Sequence, residues 1–122
     1  MILSIIVPVY NEEKTIIEIL EKIKQNSPNL TKYEVIVIDD GSTDQTNKLL
    51  KNNNHLFNKL LINETNKGKG FSVKKGILNA SGTHIIFQDA DLEYDPVDFK
   101  KFEKIFLDFD ADGVIGSRFI YS

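Results

Sequence analysis

Three groups of acids carry the chemistry this sequence could perform. They are Glu12 in Tyr10-Asn11-Glu12, the adjacent pair Asp39-Asp40, and the alternating run Asp89-Ala90-Asp91-Leu92-Glu93. Carboxylates brought face to face repel, which is tolerable when a cation sits among them. Oxygen ligands select Mg2+ or Mn2+ over softer metals. Mg2+ typically takes one or two protein carboxylates and fills its other positions with water and substrate phosphates. Asp89 and Asp91, one residue apart after an apolar run, suit that work, with Glu93 beside them. The plainer alternative is that these acids form strand-end turns and helix caps, as Asp often does.

Other chemistries fit poorly. Asp89-Ala90-Asp91-Leu92-Glu93 begins like a calcium loop, but its sixth position is Tyr94 and its twelfth Lys100, where Gly and Glu are needed. Asp108-Phe109-Asp110-Ala111-Asp112-Gly113 has the glycine but places Phe119 twelfth, so it reads as a solvated turn. The sequence has no G-x-G-x-x-G after its first apolar run and no G-x-x-x-x-G-K-[ST]. Without cysteine and without G-x-S-x-G, no nucleophile stands out, and His55 and His84 read as surface or structural residues.

The elements that must position the acids follow from periodicity. Leu3–Val9, Tyr33–Ile38, Lys59–Asn63 and His84–Gln88 are short apolar runs that read as strands, and Asp112–Gly116 as a last one. Between them, 13–24 is amphipathic with acids early and lysines late. A short helix follows Thr43 or Asp44, either of which can cap it, and another covers Phe71–Asn79. Pro96 starts a helix running to Phe109. The alternation predicts an α/β fold, a doubly wound and mostly parallel sheet of order 3-2-1-4 with helices on both faces. In that order Glu12, Asp39, Asp40, Asp89, Asp91 and Glu93 meet at the carboxyl ends of the strands, where ligands bind at the switch of winding direction.

At 122 residues the chain is long enough for one domain, read here as residues 1–122. Fourteen lysines and the single arginine, Arg118, are spread among 18 acids for a net charge of −3, which excludes the basic stripe of a nucleic-acid binder. No apolar run approaches a membrane span, and the opening MILSIIVPVY lacks a basic flank and a cleavage site. These features imply a soluble, cytoplasmic protein, with surface association at the cytoplasmic face of a membrane left open.

The ordered motifs Ile5-Ile6-Val7-Pro8-Val9-Tyr10-Asn11-Glu12, Asp39-Asp40-Gly41-Ser42-Thr43-Asp44, Asn66-Lys67-Gly68-Lys69-Gly70, Asp89-Ala90-Asp91-Leu92-Glu93 and Gly116-Ser117-Arg118-Phe119 resemble the family 2 glycosyltransferases of GT-A fold. Within them the chain is most similar to the dolichol- or polyprenol-phosphate sugar transferases. The resemblance implies a nucleotide-diphosphate sugar (a UDP- or GDP-sugar) as donor, a divalent Mg2+ or Mn2+, inversion at the sugar, and a lipid phosphate or glycan as acceptor. It also implies that Pro8, Tyr10 and Glu12 line the nucleoside pocket, with Tyr10 near the base. One of Asp39 and Asp40 would bond the base, and which one stays open. Lys67 would lie near the nucleotide, Asp89 and Ala90 against ribose or sugar, and Arg118 against the diphosphate. Asp91 would bind the metal, with Asp89 and Glu93, the latter standing where related enzymes often have Gln.

Family members continue well past the Gly-Ser-Arg-aromatic motif into acceptor-binding elements. The chain is therefore expected to be a truncated, donor-binding portion, with no general base assigned. A non-catalytic nucleotide-sugar-binding fragment is the main alternative. A receiver-type signalling domain fits less well, because its paired acids follow the first strand rather than the second.

Overall fold

The computed structural model describes residues 2–26 and 32–88 and the backbone of 113–114. In chain order these form β1 (Ile2–Val9), α1 (Ile16–Gln25), β2 (Lys32–Asp39), α2 (Thr46–Asn52), a 3-10 turn (Asn54–Leu56), β3 (Lys59–Ile62), α3 (Lys69–Leu78), β4 (His84–Phe87) and β5 (Gly113–Val114). The sheet order is β3-β2-β1-β4-β5, and every pairing is parallel. The predicted doubly wound order 3-2-1-4 is therefore present, with β5 added beside β4.

Side-chain alternation divides the core into two layers. Leu3, Ile5, Val7 and Val9 of β1 join Val35 and Val37 of β2 on one face, under Ile16, Ile19, Leu20 and Ile23 of α1 and Leu50 of α2. Ile6, Ile36, Ile38, Ile85 and Phe87 form the other layer, on which Val73 and Ile77 of α3 pack. Burial on both faces explains why these strands read as continuous apolar runs.

Pro8 does not end β1, which runs on to Val9. The Ile6 carbonyl accepts from Gln88 N at 2.9 Å, so Ile6 and, two residues on, Pro8 face the β4 side. There the ladder has already finished at the Ile6–Phe87 pair, so a residue without an N–H loses no ladder bond.

Helix starts differ from the sequence reading by a few residues. The Glu12 carbonyl takes both Thr15 N (3.1 Å) and Ile16 N (2.9 Å), so a turn precedes α1 and the helix opens at Ile16. α3 starts earlier than expected, at Lys69, and includes Gly70. A 3-10 turn with buried Leu56 follows α2. The helix expected from Pro96 to Phe109 lies outside the described residues. No helix among the described residues is long and apolar enough to cross a membrane.

Candidate donor-binding edge

The carboxyl ends of β1, β2, β3 and β4 meet along one edge, tied by backbone bonds beyond the strands. Asp40 N donates to Val9 O at 2.8 Å and Asn63 N to Asp39 O at 2.9 Å. Gln88 leaves β4 at the same edge. Pro8, Tyr10, Glu12, Asp39, Asp40 and the Lys67 backbone are thus gathered here. Asp89, Ala90, Asp91, Glu93 and Arg118 lie outside the described residues.

Asp40 organises the loop between β3 and α3. Its side chain is only 4% exposed. Oδ1 accepts from Lys67 N at 2.7 Å and from Asn63 Nδ2 at 2.9 Å, and Oδ2 accepts from Gly68 N at 2.9 Å. Asn63 is itself held: its Nδ2 also reaches Ser72 Oγ at 3.0 Å, and its Oδ1 accepts from Lys75 Nζ at 3.0 Å. Gly68, at φ 96°, and Gly41, at φ 72°, supply the left-handed backbone this crossing of loops requires.

Asp39, 1% exposed, carries fewer bonds. Oδ1 accepts from Ser42 N at 3.0 Å and Oδ2 from Asn47 Nδ2 at 2.9 Å. A carboxylate ringed by N–H donors is arranged as a hydrogen-bond acceptor rather than a cation ligand. Consistently, no group of three or more His, Asp or Glu able to hold a metal ion forms among the described residues. Asp89, Asp91 and Glu93, the residues expected to hold Mg2+ or Mn2+, lie outside them.

Asn11 joins the loops after β1 and β2. Its φ of 52° turns the chain, and its Oδ1 accepts from Thr43 N at 2.7 Å and Asp44 N at 3.3 Å. Asn11 N donates to Ser42 Oγ at 2.9 Å, and Glu12 N donates to Thr46 Oγ1 at 3.0 Å. The Asn11 side chain thus serves the neighbouring loop and not the turn that leads into α1. Glu12 Oε2 accepts from Thr15 Oγ1 at 3.2 Å, within its own turn. Tyr10, by contrast, is 43% exposed and presents its ring at the edge. The Lys67 side chain is exposed, its Nζ 6.0 Å from the Phe71 ring centroid, the outer limit of a cation–π contact.

Sequence reasoning did not single out Asn63 or Thr46, and it took Thr43 only as a candidate helix cap and Ser42 only as part of a motif. The available signal was their type: short polar side chains that bond nearby backbone, standing where apolar runs stop.

The cap position of α2 falls at Gln45, which makes no side-chain cap bond, and not at Thr43 or Asp44 as expected; one residue before it, Asp44 accepts from Thr46 N at 2.9 Å. Burial alone would raise its pKa, but hydrogen bonds from Thr46 and from Glu13 N outweigh this and hold it below the usual aspartate range. At the opposite end of the sheet Glu34 behaves alike: burial raises its pKa, while Ser4 Oγ, Ser81 N and Lys59 together lower it. A carboxyl whose folded-state pKa is depressed stabilises the fold above its unfolded value and loses that contribution as pH falls through the folded one. Urea midpoints measured from about pH 6 down to about pH 3 are expected to fall, mostly below about pH 4.5. The double variant D44N/E34Q is expected to show a shallower fall. An unchanged slope would remove these two groups as its source.

The comparisons with known proteins fall on this edge and its sheet. Human dolichyl-phosphate β-glucosyltransferase is 37% identical over 113 residues, covering 84% of this chain and 35% of that protein. The structure of Staphylococcus aureus TarS 1-349 in complex with UDP-GlcNAc superposes with TM-score 0.74 at 33% identity, over 89% of this chain and 32% of that one. The mannosyltransferase from Pyrobaculum calidifontis, in complex with GDP-Man and Mn2+, gives TM-score 0.68 at 29% identity, over 79% of this chain and 29% of that one. This chain thus spans about a third of the length of each. The family model described as glycosyl transferase family 2 matches residues 4–122, from within β1 to the end of the sequence, and the chain belongs to that family.

Proposed function

We propose that this chain is the donor-binding domain of an enzyme that transfers a sugar from a nucleotide-diphosphate sugar to an acceptor, with inversion. The observation that carries the reading is the edge itself. Exposed Tyr10 follows β1 at the edge where Asp40 holds the backbone of the 66–68 loop in place. Solved relatives with this fold hold UDP-GlcNAc and GDP-Man.

In this reading the Tyr10 ring packs on the base, with Pro8 and Glu12 lining the pocket. Asp39 accepts the base N–H, because each of its oxygens carries a single donor. Asp40, already accepting three, holds the loop. Lys67 faces the nucleotide, Asp89 and Ala90 contact ribose or sugar, and Arg118 forks onto the diphosphate. A divalent Mg2+ or Mn2+, held by Asp91 with Asp89 and Glu93, supplies Lewis-acid stabilisation of the leaving diphosphate.

Among the relatives, the name of the human protein specifies a dolichyl-phosphate acceptor. We assign this chain's enzyme an acceptor of that chemistry, a polyprenol-type lipid phosphate. Such a phosphate is already anionic and attacks without a general base. A glycan hydroxyl would require one.

Calorimetric titration of the chain with UDP and with GDP, with and without Mn2+, tests the donor site. One nucleotide is expected to bind in a Mn2+-dependent manner, and Asp91→Ala to weaken it at least about tenfold. A folded chain that binds neither nucleotide would overturn the reading.

A further inference from the structure

The outer face of α3 combines features that neither the core nor the donor edge uses. Residues 65–83 carry four lysines and no acid, in a chain whose net charge is −3. Ser72 and Gly76 of α3 are buried, and Val73 and Ile77 pack on the second core layer. At about 100° per residue, the opposite face presents Phe71, Lys74 and Leu78. Phe71 is 49% exposed and Leu78 76%. They stand two turns apart on a convex ridge.

Lysines frame this ridge. Lys67 reaches the Phe71 ring at 6.0 Å, and Lys74 is exposed between Phe71 and Leu78. Lys75 is pinned at the flank by bonds to Ile62 O at 3.2 Å and Asn63 Oδ1 at 3.0 Å. Beside it Ile62, at the end of β3, is 42% exposed. The nearest acid in sequence is exposed Glu64, beyond Ile62.

Single exposed apolar side chains are ordinary. Two on one helical face, with lysines beside them and no acid within residues 65–83, form a pattern. A convex ridge offers no groove for a peptide. Its apolar side chains suit the headgroup–acyl boundary of a bilayer, and its lysines suit anionic headgroups.

We propose that the outer face of α3, through Phe71 and Leu78 with Lys74, docks the protein on an anionic lipid surface. The inference rests on this face alone and stands apart from the donor-site reading. If both hold, the two connect. α3 starts from the Asp40-held loop, so docking would bring the donor edge to the surface where a lipid phosphate resides.

Co-sedimentation of the 122-residue chain with vesicles tests the proposal, using phosphatidylcholine alone and phosphatidylcholine with about one-third phosphatidylserine. Binding to the anionic vesicles is expected to exceed binding to neutral ones by about tenfold or more, and to fall several-fold as salt rises from about 50 to about 300 mM. F71S/L78S and K74E are each expected to reduce binding at least about fivefold while keeping the wild-type circular dichroism and urea midpoint. Equal binding to both vesicle types, no binding, or full binding by F71S/L78S would overturn it. So would concentration-dependent self-association that F71S/L78S abolishes, because the face would then join two copies. Nucleotide titration of the same variants separates the two readings, since F71S/L78S is expected to bind nucleotide as wild type does.

Discussion

Asp40→Ala is expected to cost about 3–5 kcal/mol of folding stability, a large share of the total for a domain of this size. The substitution removes the acceptor of Lys67 N, Gly68 N and Asn63 Nδ2 at a nearly buried position. Hydrogen bonds to a charged group contribute about 1.5–3 kcal/mol each, and a buried donor left without a partner adds a desolvation penalty. Loop donors that turn to water recover part of this. With a urea slope of about 1–3 kcal/mol per M, the midpoint should fall by about 2 M. Asp40→Asn keeps one acceptor oxygen but sets an amide NH2 against a backbone N–H, so an intermediate loss is expected. Freed from its anchor, the 66–68 loop should also be cut faster by trypsin at Lys67, an exposed side chain on a segment whose backbone is held in the wild type. An Asp40→Ala midpoint within about 0.3 M of wild type would show that the loop does not depend on this carboxylate.

Gly41→Ala should act through geometry alone. At φ 72°, a Cβ on residue 41 would stand 2.5 Å from Thr65 C and 2.7 Å from Asn66 N, both backbone atoms. No rotamer change relieves a clash with main chain, so the two loops must part. The left-handed conformation costs a non-glycine residue about 1–2 kcal/mol, and overpacking adds about 1–3 kcal/mol. A total near 3 kcal/mol is expected. Gly68→Ala is the control: its φ of 96° carries the torsional cost, but nothing lies within 4 Å of its Cβ. The expected order of urea midpoints is therefore wild type, then Gly68→Ala, then Gly41→Ala. If the two variants prove equally unstable, backbone torsion and not loop contact governs this crossing.

Both substitutions strike features that were hard to read before the structure. The strands were legible because burial on both faces leaves uninterrupted apolar runs, and Tyr33–Ile38 marked all but the ends of β2. The order 3-2-1-4 followed from parallel pairing and right-handed crossovers, which leave few alternatives. Asp39 and Asp40 were legible as an acidic pair but not as two different things. Adjacent strand residues point to opposite faces, and what each meets there depends on loops far away in sequence: Asn47 for one, Asn63 and Lys67 for the other. The role of Asn11 was hidden for the same reason, because local spacing cannot show that residue 43 lies beside it. The exposed ridge of α3 was not legible in the helix read over Phe71–Asn79. Exposure of Leu78 depends on which side the sheet takes.

The central position of β1 sets the order in which the chain can be completed. Leu3 pairs with Tyr33 on one side and with His84 on the other. As the polypeptide leaves the ribosome, the most apolar strand gains its first neighbour early. Its second edge stays bare for about 50 further residues, or roughly 3–10 s at ordinary elongation rates. During that interval an unpaired, hydrophobic strand edge is open to other nascent chains. Synonymous codons that slow translation between Asn63 and His84 should therefore lower the soluble yield without altering the finished protein, a burden that falls on chaperones rather than on equilibrium stability.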